Sequence, residues 1–160
     1  MTPLAWLLGL LLPACGAPGA QGLPVPPPMD IAHLTRPATP NTALAAPAGF
    51  VPAPDVVTPI FHVPAARLYA AILAVASAQP RTYQAAAYPD LLQADWVVRS
   101  AVWNFPDKVT AQASPAGADA ATLVLYSRSV YGYGDLGTNR KRVDAWLAAL
   151  DRALQPAKER

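Results

Sequence analysis

The residues best equipped for chemistry lie between positions 127 and 142, in the run SRSVYGYGDLGTNRKR. Within it Arg128, Arg140 and Arg142 supply guanidinium forks, Asn139 an amide and Asp135 a carboxylate. Arginines gathered at a helix start suit an anion, because guanidinium and unpaired backbone N–H groups then point at one charge. Arg99-Ser100 repeats the Arg128-Ser129 pair on an earlier strand, and if those strands adjoin, both arginines enter one pocket. Arg99, Arg128, Asp135, Asn139, Arg140 and Arg142 therefore form the candidate ligand-binding set. A catalytic version of the set uses Asp135 as a general acid or base tuned by the arginines. A structural version has Asp135 or Thr138 capping the last helix, with Asp135 paired to Arg128 or Arg142.

Gly132, Gly134 and Gly137 also fit the G-x-G-x-x-G spacing of a dinucleotide loop. That fold needs a crossover helix, a further parallel strand and an acidic residue about 20 positions on. Here the helix runs almost to residue 160, and Asp135 would set a carboxylate where a pyrophosphate should rest. The remaining chemistry is sparse. His33 and His62 lack partners at metal-ligand spacing, so neither a metal nor a cofactor is expected. Ser127 and Ser129 sit mid-strand without an evident histidine base. Asp90 and Asp95, flanking Leu91-Leu92, read as solvated loop carboxylates rather than a catalytic pair. A net charge of +2 with scattered basic residues argues against a nucleic-acid partner.

The elements that position these residues follow from periodicity. Leu68, Ile72, Val75 and Ala76 recur at helical spacing after Pro64, predicting a helix over 65–78. Strands are predicted at 56–62, 82–87, 94–103, 108–113 and 122–131, with a hairpin turn at Ser114–Asp119. In the last strand Leu123, Leu125, Ser127 and Ser129 share one face, and Val124, Tyr126, Arg128 and Val130 the other. Val143, Trp146, Leu147, Leu150 and Leu154 mark an amphipathic helix over 139–154. The order β-α-β-β-β-β-α implies an α+β domain with a largely antiparallel sheet, covered by helices on one side and partly shielded on the other.

The N-terminus reads as an address. LAWLLGLLL, residues 4–12, is an apolar run too short for an ordinary transmembrane helix, as in a signal peptide. Leu12-Pro13-Ala14-Cys15 resembles a bacterial lipobox, which would make Cys15 the lipidated first residue; cleavage near Ala17 or Ala20 is the alternative, leaving a soluble periplasmic protein. Cys15 is also the only cysteine, so no intrachain disulfide forms. Expected boundaries are a signal segment at 1–15, a Pro/Ala-rich tether at 16–54, one domain at 55–155 and a tail at 156–160. A tether of ~40 residues, extended at about 3.1 Å per residue, would reach on the order of 100 Å; the alternative is that the Pro40-Asn41 and Ala46-Pro47 region wraps over the domain surface.

The run from Ser127 to Arg142 resembles the C-terminal signature of the bacterial family named domain of unknown function 1499, and Phe105-Pro106-Asp107 resembles its upstream segment. The resemblance spans roughly residues 40–152. It departs at Lys108, where a second acid often follows, and in having one arginine, Arg128, where two commonly flank the serines. The resemblance implies an envelope protein and assigns no activity. The expected function is a lipid-anchored or periplasmic binding module for a small anionic or amphiphilic ligand or an envelope protein. A hydrolase using Asp135 and a purely structural envelope domain are the alternatives.

Overall fold

Alternation along the strand predicted at 122–131 sends its two sets of side chains to opposite faces of a six-stranded sheet. The protein, seen here in a computed structural model, is described over residues 13–155. Its strands are β1 Thr42–Pro47, β2 Val56–Thr58, β3 Thr82–Tyr88, β4 Gln93–Arg99, β5 Pro106–Gly117 and β6 Ala120–Ser129. They lie in the order β2-β1-β6-β5-β4-β3, antiparallel throughout except for β1 beside β2. Two long helices, α1 Ala65–Ser77 and α2 Thr138–Leu154, complete the α+β fold.

Both helices cover one face. Leu68, Ile72 and Val75 of α1 and Val143, Trp146 and Leu150 of α2 bury against Trp96, Val98, Val109, Leu123 and Leu125. Trp96 and Trp146 meet edge-on with ring centroids 5.5 Å apart, a geometry that contributes about 0.5–1.5 kcal/mol beyond area burial. This packing fixes α2, and with it the start of the helix that carries Asn139 and Arg142.

Three expectations need correction. The hairpin turn expected at Ser114–Asp119 narrows to Ala118-Asp119, because β5 pairs with β6 through Gly117. The strand predicted over 94–103 ends at Arg99: Asn104 takes a left-handed φ of 56°, and Ser100 and Phe105 close the loop by mutual hydrogen bonds of 2.9 Å. The aromatic composition that suggested a longer strand instead stacks Trp103 on Phe105, 6.4 Å between centroids. The stretch 16–54 is also not a free tether. Residues 42–47 form β1, inserted between β2 and β6, with Ala43 and Ala45 in the helix-side core and Leu44 and Ala46 in the opposite one. Alanine- and proline-rich composition hid this strand, whose proline sits at its last position, where a missing donor is tolerated.

The chain before β1 supplies the shield over the second face. A proline-rich segment has few N–H groups to give, so it is held through its carbonyls. Buried Arg99 donates to the carbonyls of Ala14, Gly19 (2.9 Å) and Gln21 (2.7 Å), and Asn104 to those of Cys15 and Ala17 (3.1 Å). Tyr88 donates to the Pro26 carbonyl, and the Gln93 amide exchanges two bonds with the Met29 backbone at 2.7 and 2.9 Å. Leu34, Met29 and Ile31 then pack on Leu44, Val124 and Tyr126.

Candidate functional site

The signature residues fold into a polar knot where β6 hands over to α2. Asp135 accepts backbone hydrogen bonds from Gly137 (2.9 Å) and Asn139 (2.7 Å), so it caps α2 from two residues before the glycine that opens the helix. Thr138, the other expected cap, is the first helical residue. Between cap and helix, Leu136 and Gly137 take left-handed φ values of 54° and 74°. Glycine adopts this conformation freely, whereas a leucine there costs roughly 1–2 kcal/mol. The capping bonds hold Leu136 in place, and its side chain is 97% exposed.

Asn139, fully buried, is the centre of the knot. The two hydrogens of its amide nitrogen are shared among three acceptors within reach, Asp135 (2.7 Å), Ser129 Oγ (2.9 Å) and the Asn41 carbonyl (2.9 Å). Its amide oxygen accepts from Ser127 Oγ (2.6 Å) and Arg142 (2.7 Å). Arg142 also reaches Ser127 Oγ (2.8 Å) and forms an ion pair with Asp107 at 2.6 Å. Of the five guanidinium N–H groups these bonds take three, leaving two unspent among the described residues.

The six sequence-derived residues therefore separate. Asp135, Asn139 and Arg142 come together on the helix side. Arg140 points outward to Asp144 (3.1 Å) and the Asp55 carbonyl (3.1 Å). Arg99 and Arg128 share the opposite face but do not converge, because β5 lies between their strands and Arg99 is committed to the N-terminal carbonyls. Asp135 pairs with neither Arg128 nor Arg142; the latter takes Asp107 instead. Asn41 carries no sequence signal of a site residue, because it lies in the Pro/Ala-rich stretch 16–54. Ser127 had one legible signal, its place on the face that receives α2.

Arg128 lies over the Tyr126 ring, 5.1 Å from its centroid, and donates to Thr110 Oγ1 at 3.3 Å. Thr110 in turn donates to Asp95, which is buried on β4 rather than solvated, and whose second carboxylate oxygen has no partner among the described residues. Burial raises the Asp95 pKa, against the opposing Thr110 hydrogen bond and nearby Arg128 and Lys108. The same desolvation lowers the pKa of Arg128 and of Lys108. Cys15, proposed as a lipidation site from sequence, is buried in the short turn Pro13–Gly16, where burial raises its thiol pKa and Arg99 opposes the rise.

Two open clefts of about 330 Å³ each flank the Asp107–Arg142 pair. One is lined by Phe105, Tyr131, Ser129, Gly134, Asp135 and Thr138. The other includes Gln79, Arg81, Arg142 and Trp146, and the two share Ser100 and Thr138. Arg81 is exposed and spends its Nε on the Arg99 carbonyl at 3.0 Å. Among the described residues no group of three or more histidine, cysteine or acidic side chains is placed to hold a metal ion. The arrangement offers an aromatic-walled groove beside unspent cationic donors.

Comparison with known proteins places residues 34–150 within the model of a family described as protein of unknown function, DUF1499. No curated protein matches the chain. Among solved structures, the chain is similar to the di-domain ARO/CYC BexL from the BE-7585A biosynthetic pathway, with 14% identity and a TM-score of 0.46. The overlap covers 60% of this chain and 44% of that one, so the chain spans less than half the length of that structure.

Proposed function

The chain belongs to the DUF1499 family, and we propose that it is a membrane-anchored envelope module that binds a small amphiphile with an anionic head. The carrying observation is the juxtaposition at Ser100 and Thr138 of two clefts, one walled by Phe105 and Tyr131 and the other by Arg81 and Arg142. The apolar part of the ligand lies in the first, and its anion meets the unspent N–H groups in the second. Anchoring is through the apolar run 4–12 or through lipid on Cys15. Binding is favoured over hydrolysis because Asp135 is engaged by the N–H groups of Gly137 and Asn139 and by the Asn139 amide, which fit a cap better than a proton acceptor.

Gly134 gives a clean test. It lines the aromatic groove, its φ is not in the left-handed region, and an added Cβ meets nothing within 4 Å. Calorimetry with dodecyl phosphate on the full chain in detergent should show Gly134→Leu and Arg81→Gln each weakening binding about tenfold, the equivalent of ~1.4 kcal/mol. Dodecanol binding should fall only in Gly134→Leu. Equal affinity of wild type and both variants for dodecyl phosphate would overturn the assignment.

A further inference from the structure

Trp103, Tyr133 and Leu136 are 45%, 74% and 97% exposed, and all three stand on the two loops that rim the aromatic groove. A single exposed apolar residue is unremarkable. Here, however, a tryptophan, a tyrosine and a leucine gather at one end of the sheet, beyond the C-terminal ends of β4 and β6. Leu136 moreover occupies a left-handed backbone position that disfavours any side chain with a Cβ. The turn thus presents a large aliphatic group to solvent despite both its hydration and its backbone geometry, and such outliers concentrate where a surface is used.

The path of the chain identifies the occupant. Asn104, next to Trp103, holds the carbonyls of Cys15 and Ala17, and Arg99 at the end of β4 holds those of Ala14, Gly19 and Gln21. The polypeptide therefore joins the domain at this same end, with the apolar residues 4–12 immediately before the first described position. No helix among the described residues is long and apolar enough to cross a membrane, so a lipid contact made by the domain itself is interfacial. Tryptophan and tyrosine favour that zone because their rings are apolar and their tips polar. Exposed Arg81, beside Arg99, adds a cation suited to anionic headgroups.

We infer that the end of the sheet carrying Trp103, Tyr133 and Leu136 is a membrane-contact surface, which seats the domain flush on the bilayer with its amphiphile groove opening toward lipid. The inference rests on the proposed anchoring and goes beyond it, since an anchored domain on a free tether would show no preferred face. Ile60 is the internal control: it is exposed and adjoins Phe61, which bridges Ala121 at the opposite end of β6.

The test uses the full chain, with residues 4–12 retained as the anchor and Cys15→Ser removing the native thiol, carrying a single nitroxide on Leu136→Cys, Tyr133→Cys or Ile60→Cys and bound to vesicles of phosphatidylethanolamine and phosphatidylglycerol. Collision measurements should show positions 133 and 136 favouring oxygen over a water-soluble nickel complex, with position 60 remaining nickel-accessible. Unlabelled wild type provides a second readout: brominated lipids should quench its tryptophan emission more than that of Trp103→Phe. A chain that floats with vesicles while 136 and 60 are equally nickel-accessible and Trp103→Phe changes nothing refutes the contact surface and leaves anchoring intact. A wild-type chain that does not float refutes both.

Discussion

Removing the Asn139 amide tests the physical core of the signature. In Asn139→Ala the Ser127 hydroxyl loses its acceptor, and Arg142 loses one of three bonds while keeping Ser127 and Asp107. Asn41 O retains a bond from the Ser129 N–H, and Asp135 retains the backbone of Asn139 and Gly137. One buried donor left unsatisfied costs about 1–3 kcal/mol, and one lost charge-assisted bond about 1.5–3 kcal/mol. With partial relaxation of Arg142, the expected loss is about 3–5 kcal/mol, a large fraction of the ~5–15 kcal/mol of a whole domain. Urea denaturation followed by tryptophan fluorescence reads this as a lower midpoint at unchanged slope. Asn139→Asp keeps the shape but turns the donors toward Asp135 into a second carboxylate, so at neutral pH it should be at least as damaging and should recover on acidification. A loss below about 1 kcal/mol in Asn139→Ala would refute the hub, because a single orphaned buried donor already exceeds it.

Two further outcomes follow from the second face. The Asp95 pKa is raised in the folded state by burial, so between the ordinary value near 3.8 and the raised one the native protein holds a proton that the unfolded chain releases. Its contribution to stability therefore falls as pH rises through that window and is constant above it, and Asp95→Asn should lack this fall in urea midpoints measured against pH; superimposable pH profiles would contradict it. Arg99→Leu withdraws the donors from Ala14, Gly19 and Gln21, so thermolysin should cut within residues 14–28 roughly tenfold faster or more while β5 and β6 stay intact. An unchanged cleavage rate in that segment would show that apolar packing alone holds it.

The parts of the fold legible in the sequence are those with a repeat to read. Both long helices show their apolar stripes, and the face assignment of Leu123, Leu125 and Ser127 against Val124, Tyr126 and Arg128 matches the two cores. β1 was illegible because Thr42–Pro47 has no amphipathic alternation: its alanines and leucine are buried on both faces. The candidate site was legible as a cluster and not as a hierarchy. Asp135 drew attention by its charge, whereas the residue that organises the knot is neutral Asn139, whose importance comes from atoms far along the chain at Asn41 and Ser127. The repeated Arg-Ser pair points Arg128 and Arg99 into one pocket only if their strands adjoin, and sequence carries no sign that β5 separates them or that Arg99 is spent on Gly19 and Gln21.

The carbonyl clamp at Arg99 and Asn104 distributes information unevenly between the two things it joins. Every residue type carries a backbone oxygen, so the bound segment contributes almost nothing that its side chains specify, while each donor must occupy one position with one geometry. Positions 23–28 can then drift in composition as long as the chain stays extended, whereas Gly19 and Gly22, at left-handed φ values of 58° and 79°, fix the turn before them, and a change at Arg99 or Asn104 would release that turn. A region that looks like featureless linker can in this way be an obligate part of a domain, with its specificity written elsewhere.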